Sequence, residues 1–168
     1  MSSTTVLETE KVLSRGGKYL TLSLDPEQYG IEIIRVREII GYTECTALPH
    51  TPRFVRGVIN LRGQVISVID LRERFGMQPV PRTEQTCIVV VESFVDGRRV
   101  STGVIVDRVL EVLNIPEQQI EAPPDFGQAL ATEYIHGMAK CAEGVKILLN
   151  IQAVLCHRAD TTNTRSIN

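Results

Sequence analysis

GIEIIRVREII, Gly30–Ile40, aligns without a gap on GVIVDRVLEVL, Gly103–Leu113, matching glycine, mostly aliphatic or acidic positions, Arg, Val, one variable residue, Glu and two aliphatics. The two stretches stand 73 residues apart, and a second pair, RFVRG (Arg53–Gly57) and EYIHG (Glu133–Gly137), follows at a separation of 80. Self-similarity at a near-constant spacing marks a duplicated architecture and takes precedence over local readings. After each second match come a further glycine (Gly63 or Gly144), an apolar run (VISVI or VKILL), and Asp70 or Asn150 opening an amphipathic segment. The chain therefore reads as two related lobes, residues 19–75 and 87–155, inside one domain spanning 17–156. The polar ends, 1–16 and 157–168, are expected to be flexible.

Within each lobe the local signals are mostly β. YLTLSL, Tyr19–Leu24, alternates leucines with Tyr19, Thr21 and Ser23, the pattern of a strand with one buried face. Asp25-Pro26-Glu27-Gln28 then reverses the chain. VISVI, CIVVVES, VSTGVIV and VKILLNI are β-branched and short, so they read as buried strands. Helices are brief. Asp70 and Glu73 form a capping box that starts a short helix at LRERF, with Gly76 as its stop, and Asn150 caps IQAVLCHR in the same manner. Ile33, Val36 and Ile40 fall at i, i+3 and i+7 beside a charged stripe of Glu32, Arg35 and Glu38, which predicts a turn or two of helix there as well. Arg62-Gly63 reads as a hairpin tip in which Gly63 takes a positive φ. Many short strands at close spacing favour small barrels over a βαβ sheet. A domain near 60 residues buries only about 60% of its unfolded surface, so the lobes are expected to pack on each other and leave a groove between them.

Composition excludes several classes. With 168 residues, 43% of them hydrophobic, the chain has material for a buried core. A net charge of -2 lacks the positive field that nucleic-acid backbones require, and the absence of Trp with only 5% aromatic residues weakens base stacking. An oligonucleotide-binding small β-barrel, the alternative from a different class, is disfavoured on both counts. No segment approaches the roughly 18 apolar residues of a membrane span, and the N-terminus lacks a basic start followed by an apolar stretch. A cytoplasmic protein without direct membrane insertion is predicted. Cys45, Cys87, Cys141 and Cys156 lie far apart, without a CxxC pair or zinc spacing, and read as small buried hydrophobes kept reduced.

No catalytic constellation emerges. His50 sits among prolines, His136 takes the position of Arg56 in the other copy, and His157 follows the last helix. The serines have no G-x-S-x-G setting. GVINLRG has two glycines but no following lysine and serine, and it leads into a strand, so it is no phosphate loop. The reading is a non-enzyme with no cofactor and no metal.

FVRGVINLRGQVISVIDLRERF, Phe54–Phe75, closely resembles the signature of the CheW family of bacterial chemotaxis coupling proteins. The likeness extends upstream through EQYGIEIIRVREII and downstream through VVVES, VSTGVIVDRVLEVL, TEYIHGMA and KILLNIQAVL, covering about residues 17–156. The resemblance implies a mainly β fold of two packed five-stranded SH3-like barrels with short helices. It implies an adaptor that links the cytoplasmic signalling tip of transmembrane chemoreceptors to the regulatory domain of the histidine kinase CheA. Such a protein would be a monomer in isolation and would join membrane-associated arrays when assembled. A CheW-like paralogue serving another chemosensory pathway is the alternative within the family.

Residue by residue, the family pattern places the receptor's helical tip in the groove between the lobes. Ile33, Val36 and Ile40 would line it, although their spacing alone equally suits a core face. Glu38 and Arg62 match charged positions linked with receptor binding and complex assembly, and they are predicted to lie within ion-pair distance of each other. Arg56, Gly57, Asn60 and Gly63 belong to the same signature block and are assigned to kinase binding or assembly.

Overall fold

The computed structural model describes residues 16–123 and 132–156; the two ends expected to be flexible lie outside them, apart from Gly16. The first repeat supplies β1 (Gly17–Leu24), β2 (Glu27–Glu32), β3 (Val36–Gly41), β4 (Val55–Leu61) and β5 (Gln64–Asp70), followed by the one-turn helix α1 (Leu71–Arg74). The second supplies β6 (Cys87–Val95), β7 (Arg98–Val106), β8 (Arg108–Ile115), a two-residue β9 (Ile120–Glu121), β10 (Ile135–Cys141) and β11 (Gly144–Leu149), followed by α2 (Ile151–Val154). One sheet has the order β8-β1-β2-β11-β10-β9 and the other β3-β6-β7-β5-β4.

Each sheet thus draws strands from both repeats. β1 and β2 of the first repeat sit between β8 and β11, while β6 and β7 of the second sit between β3 and β5. The exchange is registered to the residue. Tyr29 pairs with Ile147 and Gly30 with Leu148 across the parallel β2–β11 seam; the repeat-equivalent Thr102 and Gly103 pair with Ser67 and Val68 across parallel β5–β7. Close packing explains the glycine that opens both copies, at the parallel seam for Gly30 and chiefly against β6 for Gly103. A Cβ on Gly30 would stand 2.8 Å from Leu148 Cδ2, and one on Gly103 2.7 Å from Ile88 Cγ2. The register shifts at Val55/Gly57 and Ile135/Gly137 are equivalent in the same way.

The apolar pattern builds three cores. Between the sheets, Leu20, Leu22, Leu24 and Ile31 meet Ile69, Val89, Val91 and Val104. Each sheet also encloses an apolar cluster of its own: Ile59, Ile66, Val68, Ile88 and Val90 in the five-stranded sheet, and Tyr19, Ile115, Ala139 and Leu148 in the six-stranded one. β1 was expected to bury one face, yet both are buried. Its leucines fill the inter-sheet core, and its other face carries Tyr19 in the sheet's own cluster. The polar residues of that face are satisfied internally, Thr21 Oγ1 donating to the Glu111 carbonyl at 2.7 Å and Ser23 Oγ to the Asp25 carboxylate.

The fold is mainly β with short helices, as the sequence implied, but one sheet has six strands where five were expected. The extra strand is β9, whose Glu121 pairs with Met138. Val58, the repeat equivalent of Met138, makes a single bridge to Thr46 at the same place. Gly57 pins that bridge, because a Cβ there would lie 2.1 Å from the Thr46 carbonyl oxygen, at a φ of 140°.

Three local expectations change or sharpen. The helix predicted over Ile33–Ile40 is a three-residue 3-10 turn, Ile33–Arg35, followed by β3, in which half-buried and exposed residues alternate. The i, i+3, i+7 spacing was satisfied by a turn plus a period-two strand. Both helix caps form: Asp70 accepts from the Arg72 and Glu73 amides, and Asn150 Oδ1 from the Ala153 amide at 3.2 Å. Gly63 and Gly144, aligned with each other in the sequence, are not equivalent. Leu61 pairs with Gln64 and Cys141 with Gly144, so Gly144 matches Gln64 and the second hairpin turns through Ala142-Glu143.

Candidate functional site

The β4–β5 hairpin closes in two residues, and Arg62 and Gly63 have φ of 53° and 87°. Positive φ at both central residues is the type I′ geometry whose twist suits a hairpin. Gly63 adopts it freely; Arg62, with a Cβ, does so at some cost. The turn is braced by Asn60, whose Oδ1 accepts from the Gly63 amide at 2.8 Å.

This backbone aims the Arg62 side chain at β3. Its Nη1 donates to Glu38 Oε2 at 2.6 Å and its Nη2 to Glu38 Oε1 at 2.8 Å, a two-pronged pair that answers the distance predicted from sequence. β3 and the β4–β5 hairpin lie at opposite edges of the five-stranded order, so the pair joins the sheet's two ends. The Arg62 hydrogen bonds hold the Glu38 carboxyl below the usual carboxylate range, and Glu38 raises Arg62 in turn. The Arg62 side chain stays 70% exposed. A guanidinium fixed at its fork yet open to solvent can donate to further acceptors on a partner.

The other predicted residues separate into groups. Val36 is half-buried against the inter-sheet core and Ile40 against the five-stranded sheet's cluster, whereas Ile33 is at the surface. The sequence reading missed Ile34 and Ile39 on the same edge, 81% and 44% exposed. A period of two through β3, rather than the helical period, would have pointed to Ile39. Arg56 pairs with Asp70, the α1 cap, in a polar cleft of ≈ 340 Å³ that also holds Arg72 and Asp107. There Arg72, 7% exposed, donates to both Asp107 oxygens, to the Asp25 carbonyl at 2.7 Å and to the Gln78 carbonyl at 2.9 Å. Gly57 serves the Thr46 bridge, and Asn60 and Gly63 shape the Arg62 turn.

Among the described residues no group of His, Cys, Asp and Glu is placed to hold a metal ion, and no helix is long and apolar enough to cross a membrane. His50 is exposed in a turn, His136 is half-buried in β10, and His157 lies outside the described residues. The four cysteines are free; Cys45, Cys87 and Cys141 are half-buried while Cys156 is exposed, unlike the buried set expected. Burial pushes the Cys45 and Cys87 thiols up, away from the reactive thiolate.

Comparison with known proteins agrees with this architecture. A family model described as a CheW-like domain matches residues 18–159. The chemotaxis protein CheW of Klebsiella aerogenes is 41% identical over 140 residues, covering 83% of this chain and 82% of that protein. The chemotaxis protein CheW of Rhizobium meliloti is 32% identical over 145 residues, covering 86% and 91%. The crystal structure of the scaffolding protein TtCheW from Thermoanaerobacter tengcongensis superposes with a TM-score of 0.74 at 36% identity, covering 83% of this chain and 92% of that one.

Proposed function

The chain belongs to the CheW family of non-catalytic chemotaxis scaffolds, which couple receptors to the histidine kinase CheA, and we propose that the edge built from β3 and the β4–β5 hairpin is where this coupling is assembled. The receptor's helical signalling tip docks along Ile33, Val36 and Ile40, with Glu38 and Arg62 fixing its register. The regulatory domain of CheA meets the barrel end formed by Arg56, Gly57, Asn60 and Gly63. Residues 17–156 act as one docking domain that works in the cytoplasm and is recruited to receptor arrays at the membrane.

The observation that carries this reading is the Glu38–Arg62 fork. An arginine held in an unfavourable turn conformation and gripped by a carboxylate, yet left largely exposed, is oriented outward more than it is used to hold the fold. The exposed Ile34 and Ile39 supply apolar surface on the same edge. Replacing Arg62 with alanine is expected to leave the melting temperature unchanged and to weaken assembly with a receptor cytoplasmic fragment and CheA by roughly thirtyfold, the size of a hot-spot loss. Titration calorimetry on the folded variant checks this; unchanged affinity would remove Arg62 from the interface.

A further inference from the structure

The two repeats leave two clefts at equivalent places, and the clefts are lined differently. The first, of ≈ 670 Å³, opens between β2, β11 and the end of α1 and is lined by Tyr29, Phe75, Met77, Tyr134, Ile135 and Ile147. The second, of ≈ 530 Å³, lies between β7, β5 and the end of α2. The registers of the two parallel seams make Thr102 the counterpart of Tyr29 and Ser67 that of Ile147. Leu155, the residue that ends α2, matches Phe75, which ends α1. In the second cleft serine and threonine stand where the first has isoleucine and tyrosine, beside Leu155, Phe94, Val95 and Val100 and the polar Ser93, Asp96 and Gln152. Folding therefore does not demand the aromatic and aliphatic lining of the first cleft, because the same fold closes over a more polar version of it.

That lining is also ordered as a row. The ring centroids of Tyr29 and Phe75 lie 5.8 Å apart, and those of Phe75 and Tyr134 5.9 Å, both tilted. A cleft of this size with a largely apolar floor is of the kind that holds an apolar anchor. The mouth is acidic: Glu27 and Glu133 are exposed on its rim. Its one cation among the described lining residues, Arg74, is engaged by the protein itself, donating to the Val154 and Cys156 carbonyls at 2.8 Å each and lying over the Phe54 ring at 4.5 Å and the Tyr134 ring at 5.0 Å. Burial, and then the Glu27 charge, push the Tyr29 phenol up, against a smaller lowering by Arg72.

We infer that this cleft is a second docking site, separate from the Glu38–Arg62 edge, for a segment of a partner protein that carries an aromatic or aliphatic anchor flanked by lysine or arginine. The anchor enters the Tyr29–Phe75–Tyr134 row and the flanking cation meets Glu27 or Glu133. The inference goes beyond the proposed coupling surface and shares none of its residues.

The test uses the full chain, labelled with 15N, and two probes of equal apolar content: acetyl-Lys-Leu-Phe-Lys-amide and acetyl-Glu-Leu-Phe-Glu-amide. The lysine peptide is expected to shift the amides of Tyr29, Phe75, Met77 and Tyr134 saturably and to bind at least about tenfold more tightly than the glutamate peptide, a difference set by charge alone. The pair E27K and E133K, both on the surface, is expected to reverse that order without touching the apolar floor. Ile147→Ser, which copies the other repeat's Ser67, is expected to weaken the lysine peptide in a protein whose melting confirms folding. Equal binding of the two peptides, shifts confined to other surfaces, no shift at millimolar peptide, or no reversal in the charge variant would each overturn the inference. Binding of 4-phenylbutylamine as tightly as the lysine peptide would also overturn it, by making the cleft a small-molecule site.

Discussion

Two arginines of this chain do opposite work, and their surroundings say which. Arg62 is exposed and held by one carboxylate, whereas Arg72 is buried and bonds to Asp107, Asp25 and Gln78 on separate segments. Arg72→Ala leaves Asp107 without its cation, with only the Asp25 amide still donating to it at 2.9 Å, and breaking a buried pair costs about 3–5 kcal/mol; urea unfolding should report a loss approaching that size, while Arg62→Ala in the same assay should report none. The pair around Glu38 has its own pH signature. Because the folded pKa of Glu38 is depressed, whatever the pair contributes is fully present above the ordinary glutamate value near about pH 4 and is lost as pH falls through the lower native pKa. Carboxyl NMR titration of Glu38 should give a lower midpoint in the native chain than in Arg62→Ala, and coincident midpoints would contradict the pairing. The sequence pointed to Glu38 and Arg62 through a family signature. It was silent on Arg72, whose partners Asp25 and Asp107 stand 47 and 35 residues away with no local pattern to announce them.

At the scale of elements, glycines mark where strands approach. Gly57→Ala would set a methyl against the backbone of Thr46 at a φ that side chains rarely adopt, while the methyl of Gly30→Ala clashes with the end of the Leu148 side chain and otherwise makes ordinary contact with Tyr19. Thermal melts should therefore rank Gly57→Ala as the more destabilising, on the order of 1–3 kcal/mol for the strained backbone alone; the reverse order would show that the Thr46 bridge yields easily. The strands themselves were legible because β-branched runs and paired caps at Asp70 and Asn150 are local signals. The segment from Ile33 to Ile40 was misread because three aliphatics at helical spacing also fit a 3-10 turn leading into a strand whose half-buried side is Val36, Glu38 and Ile40. Self-comparison identified which segments are equivalent, but equivalence does not specify partners, so it left open that Tyr29 pairs with Ile147 of the other repeat.

For the whole molecule, that exchange has a thermodynamic consequence. Neither sheet can be completed by one repeat, and the inter-sheet core takes leucines from β1 and valines from β6 and β7. The chain is therefore expected to unfold in one cooperative transition, with backbone and side-chain probes superimposing; two separated transitions would mean that the lobes fold independently. One cooperative unit suits a scaffold, whose output is the relative placement of two other proteins, and the Glu38–Arg62 edge is the surface proposed to meet them. The most direct test of that role is reconstitution of receptor fragment, CheA and this chain, reading kinase activity with native protein and with Arg62→Ala of matched melting temperature. The account predicts receptor-dependent kinase control with the native chain and its loss with the variant; full control with the folded variant would contradict it.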